Sequence, residues 1–125
     1  MNKQQTESLI KIGLVILIVA FLAILLIKRF VYFRPNSQLL PTQEIYKVIR
    51  HGHIHGWFGE GSESNDKVVF FCHGNGGNIS HRGEKIASLR ALGYSVLIFD
   101  YSGYGKSSGV PSEQTLYNDA SMMMA

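Results

Sequence analysis

The hydrophobic pattern divides the chain in two. From Leu9 to Ile27 nearly every position is apolar and Lys11 is the only charge. A helix of that length, rising 1.5 Å per residue, covers about 28 Å, close to the roughly 30 Å hydrocarbon thickness of a bilayer. Beyond Arg34 the pattern breaks into short segments. Glu44–Arg50, Ile54–Phe58, Lys67–Cys72 and Ser95–Asp100 are apolar, β-branched or aromatic runs bounded by glycine and polar residues, and they predict strands. Ser80–Leu92 carries Ile86, Leu89 and Leu92 at helical spacing, with Ser80 as candidate N-cap and Gly93 as stop. Pro111-Ser112 opens a second helix that reaches Ala125. Strand, glycine loop, helix, strand, glycine loop, helix is the order of a parallel α/β sheet with helices packed over it. Val68-Val69-Phe70-Phe71-Cys72, five apolar residues in a row, reads as a strand buried on both faces, with Cys72 a small core residue.

The expected organisation is a flank and transmembrane helix over residues 1–33 (span about 9–27), a short linker over 34–43, and one small folded domain over 44–125. The apolar run reads as an uncleaved anchor, because it is long for a signal-peptide core and is followed by Lys28-Arg29-Phe30 where a cleavage site needs small residues. Phe30-Val31-Tyr32-Phe33 carry the helix into the headgroup zone, and Arg34-Pro35 ends it.

Charge follows the same division. Residues 1–33 hold Lys3, Lys11, Lys28 and Arg29 against Glu7, while the eight basic and eight acidic side chains from Arg34 onward cancel. The net charge of +3 therefore belongs to the membrane-facing ends. It points to the lipid bilayer as partner and gives no basic face for nucleic acid. Lys28, Arg29 and Arg34 slightly outweigh the cations before the span, so the positive-inside rule leans toward a cytoplasmic folded part. One cysteine offers no disulfide framework.

Two loops carry candidate chemistry. His73-Gly74-Asn75-Gly76-Gly77 follows a strand directly, and its glycines bring backbone N–H groups close to whatever docks there. Two readings stand at this point: an oxyanion hole with the Asn75 N–H as donor, or a tight strand-to-helix turn that simply needs glycine. Asp100-Tyr101-Ser102-Gly103-Tyr104-Gly105-Lys106-Ser107-Ser108-Gly109 ends the next strand. Gly105-Lys106-Ser107-Ser108-Gly109 formally fits G-x-S-x-G, but Ser107 lies seven residues past Asp100 and ahead of Val110-Pro111, not on a strand-to-helix elbow. Asp100 stands where a phosphate-binding P-loop needs its first glycine, and Ile79 and Ser108 occupy the last glycine of any G-x-G-x-x-G, so no nucleotide cofactor is expected. His51, His53 and His55 alternate, yet no cysteine or carboxylate nearby in sequence completes a metal site, and none is expected.

With Leu92-Gly93-Tyr94-Ser95-Val96 and His55-Gly56-Trp57-Phe58, these loops resemble the α/β-hydrolase superfamily over roughly Glu44 to Ala125. The pairing of HGNxGN with DYxGYGxSxG is similar to small membrane-anchored ABHD-type serine hydrolases. The resemblance implies an α/β architecture: a transmembrane helix, then strands 1–4 and two helices, the first half of the hydrolase fold. It implies Asn75 as oxyanion-hole donor, His73, Gly74, Gly76, Gly77, Asp100, Gly103 and Gly105 as loop-shaping residues, and ester, thioester or lipid substrates. The nucleophile, acid and histidine of that family's triad have no counterpart in these residues, so the expectation is a chain inactive alone. Without the strand that carries the nucleophile, Val68–Cys72 would present an open sheet edge able to take a protein partner. The alternative is a non-catalytic, membrane-tethered interaction or degenerate protein.

Overall fold

The computed structural model describes residues 2–28, 33–42, 46–61 and 67–125. The chain contacts divide it into two units, Met1–Phe33 and Arg34–Ala125. In the first, helix α1 runs Lys3–Ile27. Asn2 caps it reciprocally, its Oδ1 accepting from the Gln5 N–H at 2.9 Å while its own N–H donates to Gln5 Oε1 at 3.0 Å. No α1 side chain is buried, and Leu17 and Phe21 are 67% and 62% exposed. An 18-residue window of α1 has mean hydropathy 3.1 and none of it is buried, so the helix is long and apolar enough to cross a membrane.

The second unit is a four-stranded sheet: β1 Lys47–His51, β2 Ile54–Gly59, β3 Val68–Phe71 and β4 Ser95–Asp100, in the order β1-β2-β4-β3. β1 and β2 form an antiparallel hairpin, β2 pairs antiparallel with β4, and β3 lies parallel to β4 with Val69 opposite Val96. Helix α2 (Gly83–Ala91) connects β3 to β4 after a 3₁₀ turn at Ile79–Arg82, and α3 (Glu113–Met124) follows β4. The residue pattern called for a parallel sheet with helices packed over it; β3 and β4 are parallel, while β1 and β2 join antiparallel and make the sheet mixed. Alternation along β4 sorts the core: Val96 and Ile98 pack with Trp57, Ile79 and Ile86 on the α2 side. Phe99 packs with Ile54 and Met123 on the α3 side.

Three expectations are corrected. β3 is not buried on both faces: it is an outer strand, with Val68 exposed and Val69–Phe71 half-buried. Cys72 just beyond it is exposed, not a core residue. The turn after the first glycine loop is capped by Asn78, whose Oδ1 accepts from the Ser80 N–H at 3.0 Å, while Ser80 Oγ takes the Leu40 N–H at 2.8 Å. Asn wins because its carbonyl reaches two residues ahead from extended backbone. The proposed start of the first strand at Glu44-Ile45, most of the polar turn at 60–66 and the interface residues Phe30-Val31-Tyr32 lie outside the described residues.

Candidate functional site

The end of β4 places Asp100 with no exposed surface among four groups. Its Oδ1 accepts the Ile79 N–H at 2.9 Å; Oδ2 lies 3.2 Å from His55 Nδ1 and accepts the Lys106 N–H at 3.3 Å; its backbone oxygen accepts from Ser107 Oγ at 2.6 Å. A buried carboxylate holds its charge only with such donors around it. Asp100 thereby pins β2, the first glycine loop and the second glycine loop to one point. Gly105 is forced by this arrangement: it sits at φ +49°, and a Cβ there would collide with the Asp100 carboxylate. Gly103, at φ +80°, would bring a Cβ to 2.8 Å from Pro111 Cδ.

Ser107 also belongs to this lock. Its Oγ donates to the Asp100 carbonyl and accepts the His55 N–H at 2.9 Å, and it is buried. Its hydroxyl proton is engaged by a carbonyl, not by a base. A Ser-His-Asp cluster stands nearby with the wrong geometry for attack. Ser102 Oγ donates to Asp119 Oδ1 at 3.0 Å and lies 2.9 Å from His53 Nε2, while the Ser102 N–H donates to Asp119 Oδ2 at 2.7 Å. The buried serine lies between the other two and braces α3 against the hairpin turn. His51, His53 and His55 thus part ways: one on β1, one toward Asp119, one toward Asp100. Among the described residues no three metal-ligating side chains converge.

The first glycine loop is organised differently. His73 is buried, and its Nδ1–H donates to the Gly74 carbonyl at 2.9 Å. Burial pushes its imidazole below the ordinary 6.5, and Arg82 adds to this against the opposing pull of the Gly74 carbonyl and Asp100. Its Nε2 has no hydrogen-bond partner, with Asp100 Oδ1 3.9 Å away. The neutral ring therefore keeps its proton on Nδ1, where a carbonyl demands a donor. That bond fixes the Gly74–Asn75 peptide plane. All described peptides are trans, so the Asn75 N–H points opposite to the Gly74 carbonyl and away from His73. Gly74 is exposed, and a Cβ at Gly74 or Gly76 would meet nothing within 4 Å. Gly77 is closed in by His81, 3.1 Å from its would-be Cβ. The Asn75 side chain is held from behind, its Oδ1 accepting the Arg34 N–H at 2.9 Å and the Tyr104 hydroxyl at 3.1 Å. Burial pushes the Tyr104 phenol up, which keeps it a donor.

Sequence reasoning brought His73, Gly74, Asn75, Gly76 and Gly77 to one loop and Asp100, Gly103 and Gly105 to the other, and Asp100 joins the two. It gave no role to Asn78, Ser102, Asp119 or the segment after Arg34. Asn78, fully buried, donates through Nδ2 to the backbone oxygens of Asn36 and Gln38 at 3.0 and 2.8 Å. The second Asn of HGNxGN was the available signal.

No known family model matches the chain. The chain is 32% identical, over 132 aligned residues, to the uncharacterized protein YfhR of Salmonella typhi, covering 95% of this chain and 45% of that protein. It is 41% identical over 66 residues to the lysophosphatidylserine lipase ABHD12 of Rattus norvegicus, covering 51% of this chain and 17% of the lipase. Among solved structures it is similar to an alpha-beta hydrolase from Vibrio vulnificus, with TM-score 0.54 and 30% identity over 63% of this chain and 28% of that one. The Pyrococcus furiosus esterase Pf2001 shares the fold at TM-score 0.54 and 23% identity, over 70% of this chain and 40% of that one. The chain spans less than half the length of each of these proteins. With its mixed sheet, its paired glycine loops and these relatives, the chain is an α/β-hydrolase-like protein of the ABHD type that covers the first part of the fold.

Proposed function

We propose that the chain is a single-pass membrane protein carrying the oxyanion-binding half of a serine hydrolase for ester, thioester or lipid substrates. In this reading α1 spans the bilayer and the cations at its carboxyl end keep the folded part on the cytoplasmic side. The observation that carries the reading is the Gly74–Asn75 peptide: its carbonyl accepts from His73, which fixes the plane of the Asn75 N–H beside an exposed Gly74. A backbone N–H held in a fixed plane is suited to an oxygen that becomes negative in acyl transfer, because little reorganisation is needed when the charge forms. The lysophosphatidylserine lipase among its relatives supports the substrate class.

In the same reading these 125 residues do not turn substrate over by themselves. Ser102 and Ser107 are buried, and their hydroxyls donate to the Asp119 carboxylate and the Asp100 carbonyl, so His53, 2.9 Å from Ser102 Oγ, is not the acceptor of the serine proton. Treatment of the detergent-solubilised chain with a fluorophosphonate probe is expected to leave every serine unlabelled. A chain continuing into a G-x-S-x-G elbow is expected to label at that serine. Labelling within the 125 residues would contradict the proposal.

The outer position of β3 favours a second reading, a membrane-tethered interaction protein that pairs this strand with another chain. It predicts association of residues 34–125 through this edge in size-exclusion chromatography.

A further inference from the structure

The segment following the anchor, expected as a linker, is laid across both glycine loops. The Arg34 N–H donates to Asn75 Oδ1 at 2.9 Å, and Pro35 forms a parallel bridge with Gly77. The Asn36 carbonyl accepts from the Gly105 N–H at 2.9 Å and from Asn78 Nδ2 at 3.0 Å. The Gln38 carbonyl accepts from Asn78 Nδ2 at 2.8 Å, and the Leu40 N–H donates to Ser80 Oγ at 2.8 Å. Leu39 packs against the cluster of Trp57, Ile79 and Ile86. Irregular backbone held at this many points is a built element of the domain, not a spacer.

We propose that Arg34–Leu40 is a positioning strap that sets the shape of the Gly74–Asn78 loop, with Asn78 as its fastening residue. Asn78 is suited to this because it faces two ways. Its Oδ1 serves the turn that follows, accepting from the Ser80 N–H, while Nδ2 donates to the Asn36 and Gln38 carbonyls, two residues apart on the strap. Fully buried, it offers neither end to water, so loss of the strap leaves a buried amide with unmet donors and the loop without its backing. Arg34 and Tyr104 together clamp the Asn75 side chain and so restrict the residue whose N–H is the oxyanion donor. The strap begins seven residues after Ile27, so the peptide leaving the apolar helix is the one that holds the loop. The strap's bearing on catalysis rests on the oxyanion reading of that loop; its hold on the loop does not.

Asn78→Asp tests this selectively, since the carboxylate keeps the Oδ1 cap and removes both Nδ2 donors. Hydrogen–deuterium exchange of the whole chain in lipid nanodiscs is expected to show exchange at Asn78, Leu40 and Gly105, whose N–H groups are bonded, about 10-fold faster or more, with β2 and β4 amides unchanged. Arg34→Pro, which deletes the N–H to Asn75 together with the guanidinium, is expected to speed exchange at Gly105 in the same direction and serves if Asn78→Asp unfolds. In a chain continued through a nucleophile, Asn78→Asp is expected to lower kcat about 10-fold at unchanged KM. Unaltered loop exchange in both variants would overturn the strap. If exchange rises while the continued wild-type chain shows no hydrolysis, the strap stands and the oxyanion reading fails.

Discussion

The two glycine loops begin alike, each at the end of a strand in the same sheet, and end in opposite states. The loop after β4 is closed on itself: Asp100 fills its centre, Ser107 seals its far side, and Gly105 leaves no room for a methyl group. The loop after β3 is held by His73, Asn75 Oδ1, Asn78, the Pro35 bridge at Gly77 and Arg82 on the Gly76 carbonyl, yet at Gly74 and Gly76 a Cβ would enter open space. Glycine does different work in each. In one it admits a buried carboxylate; in the other it leaves room beside the backbone. A glycine-rich loop is thus evidence of a binding site only when what its missing Cβ would touch is known.

Breaking the closed loop should cost most. Asp100→Ala strips the Ile79 and Lys106 N–H groups and His55 of their acceptor in a fully buried place, and is expected to destabilise the 34–125 unit by about 3–5 kcal/mol. Trp57, the single tryptophan and a core residue, reports this unit alone in fluorescence-detected urea unfolding. Gly105→Ala, strained by positive φ and by collision with Asp100, is expected to lose more than about 2 kcal/mol in the same assay. A smaller effect comes from His73. Its folded pKa lies below the unfolded 6.5, so below that pH the unfolded chain takes up a proton the fold refuses. His73's share of stability is complete above 6.5 and falls as pH drops toward its folded pKa, by at most about 1.4 kcal/mol per pH unit. His73→Asn should flatten the wild-type decline in unfolding midpoint between pH 7 and 5.

The elements most legible in the sequence were those whose signal is local. Ser95–Asp100 is a strand because the apolar run Val96-Leu97-Ile98-Phe99 lies between a glycine turn and a glycine loop, and its limits match the expectation. Ser112 announced α3 in the same way. What could not be read depends on partners far along the chain. His53 and His55 alternate in sequence, but their fates are set by Asp119 and Asp100, each at least 45 residues away. The strap carried no signature because most of its bonds come from its own backbone, which every residue type supplies. The apolar run of β3 suggested full burial; its place at the sheet edge followed from the family resemblance, not from its own residues.

The contrast between the loops is tested most directly by Gly74→Ala, unfolded beside Gly105→Ala under identical conditions. A methyl group at Gly74 enters open space at a permissive backbone angle, so its stability is expected within about 0.5 kcal/mol of wild type. A loss at Gly74 as large as that at Gly105 would show that the first loop is packed as tightly as the second, and would remove the open face on which the hydrolase reading depends.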